Sequence, residues 1–391
     1  VFFVFTGMAL NTDRERTTHL LRRFGLGASE AEIDYYLGTG TWKTVVDKLL
    51  DFGSVAEVQI DLDRFANDKG QINMKACQAW WYSRILTTNR PLEQALTIFW
   101  HNHFATSAEK VDAVGAMHEH VEVLRQNCCG RFQDLLTNIS KDPAMLFWLD
   151  NNENKKGKPN ENFAREIMEL FTLGVGHYSE NDVQEAARAL TGWTFGAKRG
   201  NRVFETPKPS QRPKLKEGPP SPQVGFLFRP EQHDDGEKTF LGNRGNFDGE
   251  DLLGILCGNP QTALYITKKF LSWFVSPDPD KKYVERIAKA FRDSGLDIKV
   301  LCRTVMESPE FYSDEVERTI VKNPVAFCVS NLRQMGLGAR IEAQSADTSQ
   351  GRPPGRGVPI LVGSTTKSMG MDLMYPPDVS GWKIGDNWIS T

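Results

Sequence analysis

Asp142-Pro143-Ala144-Met145-Leu146-Phe147-Trp148-Leu149 places an acceptor side chain before a proline at a first helical position. There the missing N–H costs nothing and the carboxylate can take orphan helix donors. An apolar run follows at helical rather than alternating spacing. The same grammar recurs outward from this point. Ser179-Glu180-Asn181-Asp182 caps a helix running through Val183, Ala186, Ala187 and Leu190 to Gly192. Ser29-Glu30-Ala31-Glu32 is a capping box for a helix ending near Gly38. Helical periods recur at about 74–88, 91–104, 110–127, 159–173, 250–257, 260–274, 280–294, 297–306 and 322–335. Strand-like alternation is scarce. The reading is an all-α, multi-helix globular domain over residues 11–391, taken as one unit cut at one or both ends.

Two stretches interrupt the helices. Residues 196–231 form a basic, Pro-rich insertion with Lys198, Arg199, Arg202, Lys208, Arg212, Lys214 and Lys216. Residues 340–367, rich in Gly, Ser and Pro, read as a second long loop. The first can meet an anionic partner or be a solvated insertion. Overall charge weighs against nucleic acid as that partner: 47 Lys and Arg stand against 50 Asp and Glu, for a net of −3. No apolar stretch is long enough for a membrane span. The Val1-Phe2-Phe3-Val4-Phe5 run is too short, and lacks the basic flank, for a signal peptide. The six cysteines form no C-x-x-C pair; adjacent Cys128 and Cys129 are read as thiols, with a vicinal disulfide as the alternative.

Polar residues concentrate in three places. On a helix from Pro159, Glu161, Asn162, Arg165, Glu166 and Glu169 share an arc of about 140°. Crowded carboxylates there can hold a metal or divide acid and base roles. Surface pairs at i, i+4 are the alternative. Phe99-Trp100-His101-Asn102-His103-Phe104 sets two imidazoles about 200° apart on a helix, so one turns into the core unless the helix ends first. His118-Glu119-His120 repeats the spacing on a polar helix. Gln232-His233-Asp234-Asp235-Gly236 is either a metal or proton-transfer corner or an Asp/Gly turn. Walker, G-x-S-x-G, H-E-x-x-H and helix-opening G-x-G-x-x-G sequences are lacking, so no nucleotide cofactor is expected.

These stretches, in this order, resemble the bacterial domain of unknown function 1800 family. The resemblance is carried by His19-Leu20-Leu21-Arg22-Arg23-Phe24-Gly25-Leu26-Gly27, by Phe99 to Phe104 and by Asp142 to Leu146. It continues through Asn160 to Glu166, Glu169 to Gly174 and Ala187 to Trp193, then His233-Asp234, Lys238 to Gly242 and Pro376 to Trp382. It implies a mostly helical bacterial protein, often exported and therefore expected in the periplasm. Genes of this family often lie beside a sulfatase-like family, which makes such a protein an expected partner. The family's activity is unassigned. Because its motifs fall on the polar constellations, the resemblance also implies that these share one buried cleft.

The resulting expectation is a metal-assisted hydrolase or oxidoreductase acting on a polar or polyhydroxylated substrate, such as a glycan. Glu166, Arg165, Asn160 and His101 are the expected catalytic groups. His103, Glu169, Glu166, His233 and Asp234 are the expected ligands of a divalent Zn, Fe or Mn ion, a donor set of nitrogen and oxygen without thiolate. Trp193 and Asn162 are expected to contact substrate. The competing reading is a non-catalytic binding or assembly protein for surface polysaccharide or a sulfatase-like partner. In it the carboxylates and Arg165 close into a buried ion network.

Overall fold

A computed structural model describes residues 10–199, 202–204, 224–338, 341 and 357–389. Helices dominate, and the caps read from sequence form. Asp142 accepts from the Met145 N–H at 3.0 Å, while Ser29 with Glu32 and Ser179 with Asp182 form reciprocal capping boxes. Each cap satisfies backbone donors that have no partner within the helix. The helix Pro91–His103 is buried along its whole length, so it cannot lie at the surface. It packs on Val114–Asn127, Asp13–Phe24 and Trp42–Leu50. Phe99 also meets Phe270, Trp273 and Phe274 of the helix Pro260–Phe274 at 5.5–5.9 Å between ring centroids. One continuous apolar cluster runs from Leu10 to Trp382.

The insertion expected as a loop over 196–231 is partly strand. Trp193–Arg199 pairs antiparallel with Arg202–Phe204 on one side and Val224–Phe228 on the other, and a second small sheet joins Lys238–Phe240 to Asn243–Gly245. Trp193 and Phe226 give the first sheet its packed face, and those ring contacts outweigh the local glycines. Lys208, Arg212, Lys214 and Lys216 lie outside the described residues. In the second expected loop, Gly357–Ser368 is a helix, held to Met74–Thr87 partly by a buried 2.5 Å bond between Tyr82 and Thr366. All six cysteines are free thiols. Among the described residues no helix is long and apolar enough to cross a membrane.

The helix expected from Pro159 starts at Asn162 and changes register at Ile167–Thr172, which is π-helical. The Leu173 N–H reaches the Met168 carbonyl, five residues back. That wider turn leaves the last carbonyls for side chains from elsewhere.

Three neighbouring polar residues end the buried central helix; the first two tie in the 371–382 strap and the third the π-helical turn. His101 Nε2 accepts from the Met374 N–H at 3.1 Å, Asn102 Oδ1 accepts from the Trp382 N–H at 2.7 Å, and His103 Nε2 donates to the Phe171 carbonyl at 3.1 Å. Gly381 makes the approach of the 371–382 strap feasible. Its φ is +82°, and a Cβ there would sit 2.3 Å from the Asn102 carbonyl oxygen. Asn102→Ala leaves the Trp382 N–H buried without an acceptor. It should destabilise the fold by about 1–3 kcal/mol in urea denaturation and speed exchange of the Trp382 amide. Unchanged exchange would show that the Asn102 bond is not what holds this end of the strap.

Candidate functional site

The last turn of the central helix forms one wall of a cavity of about 620 Å³. The π-helical turn supplies Leu173, the helix Pro260–Phe274 supplies Gln261, Tyr265, Lys269 and Trp273, and the strap supplies Trp382. Aromatic and aliphatic walls with a few convergent polar groups are the ordinary composition of a small-molecule site. Here the polar groups share one sign. Lys268, Lys269 and Lys383 line the cavity with His103 and His177, and no Asp or Glu is among the lining residues.

The exposed carbonyls of the π turn organise this wall. The Leu170 carbonyl accepts from Tyr265 Oη at 3.0 Å, the Phe171 carbonyl from His103, and the Leu173 carbonyl from Gln261 Nε2 at 2.9 Å. Lys269 Nζ is 3.5 Å from the Leu170 carbonyl, too far for a strong hydrogen bond, so its donors are largely uncommitted. It is enclosed on most sides but keeps part of its surface open to the cavity. Burial pushes the Lys269 ammonium down to about 8. Burial, and then the charge of Lys269, hold His103 well below its ordinary value, so its imidazole is neutral at pH 7. The ring proton sits on Nε2, bonded to a carbonyl, and the buried Nδ1 keeps an unpartnered lone pair. The site thus presents a soft amine beside a fixed, buried imidazole.

The expected catalytic and ligand residues do not gather around this cavity. Arg165 faces solvent and forms a bidentate pair with Glu180 at 2.7 and 2.9 Å, with Glu161 at 3.4 Å. Glu169 accepts from Tyr178 Oη at 2.5 Å. Glu166 is half-buried and raised by burial and by Glu169. The carboxylate–arginine group is therefore neither a cleft nor a sealed network: Arg165 pairs outward with Glu180, and Glu169 is taken up by Tyr178.

Asn160 and Asn162 spend their amides on backbone. Asn160 Nδ2 donates to the Asp150 carbonyl and Asn162 Nδ2 to the Leu149 carbonyl, while Asn151 and Asn154 reach the carbonyls of Leu190, Trp193 and Ala187. This asparagine group latches the 150–162 turn to the end of the Glu180–Ala189 helix. Trp193 is buried against Gly249 and Phe226 instead of walling the cleft. His233 Nδ1 donates to the Thr191 carbonyl at 3.0 Å, and Asp234 pairs with Arg188 at 2.8 and 3.1 Å. The Arg188 guanidinium pulls Asp234 down to about 2. Of the expected ligand set, only His103 lines the cavity. Among the described residues no three His, Cys, Asp or Glu side chains converge to hold a metal ion.

His101 belongs to a different buried group. Because its Nε2 accepts from a backbone N–H, the neutral ring carries its proton on Nδ1, which rules that atom out as a ligand lone pair. Its ring lies 5.5 Å from Trp382 and 6.2 Å from His120, whose Nδ1 donates to Asp142 at 2.8 Å. Asp142 therefore caps one helix and anchors a histidine from another. His120, read from sequence as part of a polar helix face, is fully buried. Lys269 escaped the sequence reading altogether. Its signal was present: it falls four residues after Tyr265 and four before Trp273, on the inward stripe of its helix.

The family described as protein of unknown function (DUF1800) matches residues 19–391, and the chain belongs to it. Comparison with the curated proteins and with the solved structures gave no match.

Two outcomes follow from the electrostatics. A carboxylate with a lowered pKa contributes stability that is present above the ordinary range and lost as pH falls through the folded value. Asp234→Asn should therefore cost about 1 kcal/mol at pH 7, a partly exposed pair being discounted for solvent screening. The gap to wild type should close between about pH 4 and pH 2 in urea denaturation. Lys269 should react with trinitrobenzenesulfonate at half-maximal rate near pH 8, read by peptide mass spectrometry. A midpoint near the ordinary lysine value of 10.5 would show an ordinarily solvated amine.

Proposed function

We propose that this protein is an enzyme acting on an anionic, polyhydroxylated small molecule, with Lys269 as general base. The observation that carries the reading is a partly open, desolvated lysine in an aromatic-walled cavity whose lining holds three lysines and no carboxylate. Lys268 and Lys383 supply charge for the anionic group. Trp273 and Trp382 supply flat apolar faces for a ring. With an ammonium pKa of about 8, a useful fraction of Lys269 is neutral near pH 7.5, close to the best compromise between availability and basicity. Neutral Nζ would take a proton from a substrate hydroxyl or an acidic C–H.

This reading supports hydrolytic or eliminating chemistry without requiring a metal. A metal-assisted version with Zn, Fe or Mn would have His103 alone of the expected ligands, and its unpartnered Nδ1 has no exposed surface. That imidazole is oriented as ligating histidines are, by a carbonyl on its other nitrogen, but the remaining ligands would have to come from substrate or solvent.

The test is thermal denaturation against uronic acids, with neutral sugars as controls. At least one should raise the melting temperature, because a ligand at 100 times its Kd adds about 2.7 kcal/mol. The effect should fall in Lys268→Gln and in Lys383→Gln and persist in Arg165→Gln, while turnover of a ligand so found should be lost in Lys269→Met with its binding retained. Stabilisation by neutral sugars only, stabilisation unchanged in both Lys268→Gln and Lys383→Gln, or turnover unchanged in Lys269→Met would overturn the assignment.

A further inference from the structure

The His19-to-Gly27 stretch remains without a role in the lysine cavity, yet it builds a second one. A cavity of about 240 Å³ is lined by Arg22, Arg23, Arg318 and Lys322 under the indoles of Trp273 and Trp388, with no Asp or Glu in its lining. It adjoins the first cavity, since Ser272, Trp273 and Ile384 line both. Among the described residues Arg22, Arg23 and Lys322 have no carboxylate within ion-pair distance. The nearby Glu317 is engaged by Arg318 at 3.3 Å. Three half-buried cations so arranged repel one another, and an anion among them removes that cost.

The cations are held by specific contacts and do not move as free surface side chains. Arg22 donates to His19 Nδ1 at 3.0 Å, Arg23 to the Val316 carbonyl at 2.6 Å, and Lys322 to Ser330 Oγ at 2.7 Å. The turn after the arginines is fixed as well. Gly27 has a φ of +80°, and a Cβ there would lie 2.8 Å from Ser330 Cβ, so the arginine-bearing helix end is pressed onto the residue that holds Lys322. Burial, then Arg22, pull Arg23 down to about 10. Burial followed by Arg22 and Arg23 lowers Lys322. Glu317 raises Arg22 and Arg23 in part without pairing with either, so the cations are positioned and only partly neutralised before any ligand arrives. Such preorganisation lowers the entropy cost of binding.

We infer that Arg22, Arg23 and Lys322 form a receptor for a tetrahedral oxyanion, the phosphate or sulfate group of a small ligand whose ring lies against Trp273 and Trp388. Planar guanidinium forks and a compact ammonium together can serve the several oxygens of such a group. The inference does not depend on Lys269 acting as a base. The adjoining cavities make one extended ligand reaching both the natural occupant.

The experiment is isothermal titration of the full chain with inorganic sulfate, inorganic phosphate, glucose 6-phosphate and acetate, with ionic strength held constant by sodium chloride. One-to-one saturable binding of the tetrahedral anions is expected, weakened at least tenfold in Arg22→Gln and in Lys322→Gln. Trinitrobenzenesulfonate labelling of Lys269 should keep its pH midpoint in both variants, which separates failure here from failure of the lysine reading. Lys322→Gln alters only a side chain bonded to Ser330, so it provides the test even if Arg22→Gln does not fold. Tighter binding of the ester than of the free anions, or equal binding, both support the receptor and identify its source as organic ester or free anion. No saturable binding, binding unchanged in Lys322→Gln, or acetate binding as tightly as sulfate would overturn it.

Discussion

The end of the buried Pro91–His103 helix must satisfy polar groups where water cannot reach, and the rest of the molecule is arranged around that constraint. A helix buried on every side brings its final carbonyls and any polar side chains into a medium where an unmet hydrogen bond costs about 1–3 kcal/mol. His101, Asn102 and His103 meet the cost with backbone groups from the strap and from the π turn. Long-range pieces of chain, about 70 to 280 residues away in sequence, are thereby fixed to one helical turn. The cavity beside that turn follows from this arrangement, because its walls are the segments the three residues hold.

The same constraint sets the electrostatics. The π register leaves the Leu170, Phe171 and Leu173 carbonyls for Tyr265, His103 and Gln261, so the site wall is lined with oriented dipoles. Lys269 sits over the negative end of this turn but lacks a carboxylate, and its amine remains soft. His101 and His103 illustrate how a backbone partner assigns a tautomer. A donor N–H at Nε2 puts the proton of His101 on Nδ1, whereas an acceptor carbonyl at Nε2 leaves Nδ1 of His103 as a lone pair. Two histidines two residues apart thus have opposite chemical faces. In the adjoining cavity, which shares Trp273, Arg22, Arg23 and Lys322 extend the positive field.

Much of the helical scaffold is legible in the sequence because caps and apolar periods are local. Met74–Thr87, Pro260–Phe274 and Lys281–Asp293 fall within a residue or two of the periods that announce them. The Trp193–Arg199 strand and the Gly357–Ser368 helix are not legible, since each is stabilised by partners distant in sequence and carries local glycine or proline that reads as loop. The candidate site was legible only in part. His103 stood out, while Glu166, Glu169 and Arg165 drew attention by charge density, which reports solvent as readily as chemistry. A lone Lys269 on an amphipathic helix gave a weaker signal than these clusters despite its more unusual environment.

By itself the sequence determined the helical class, the helix starts at Asp142, Ser179 and Ser29, and membership of a family recognised by its motifs. These depend on contacts spanning three or four residues and on the order of side chains along the chain. Only the tertiary structure decided which polar residues serve the backbone and which face a cavity. It committed Asn160, His101 and Asp234 to backbone or ion-pair partners and brought Lys269, His103 and Trp382 together from three segments. The physical reason is that burial, tautomer and pKa are properties of surroundings, and those surroundings exist only once distant segments have packed.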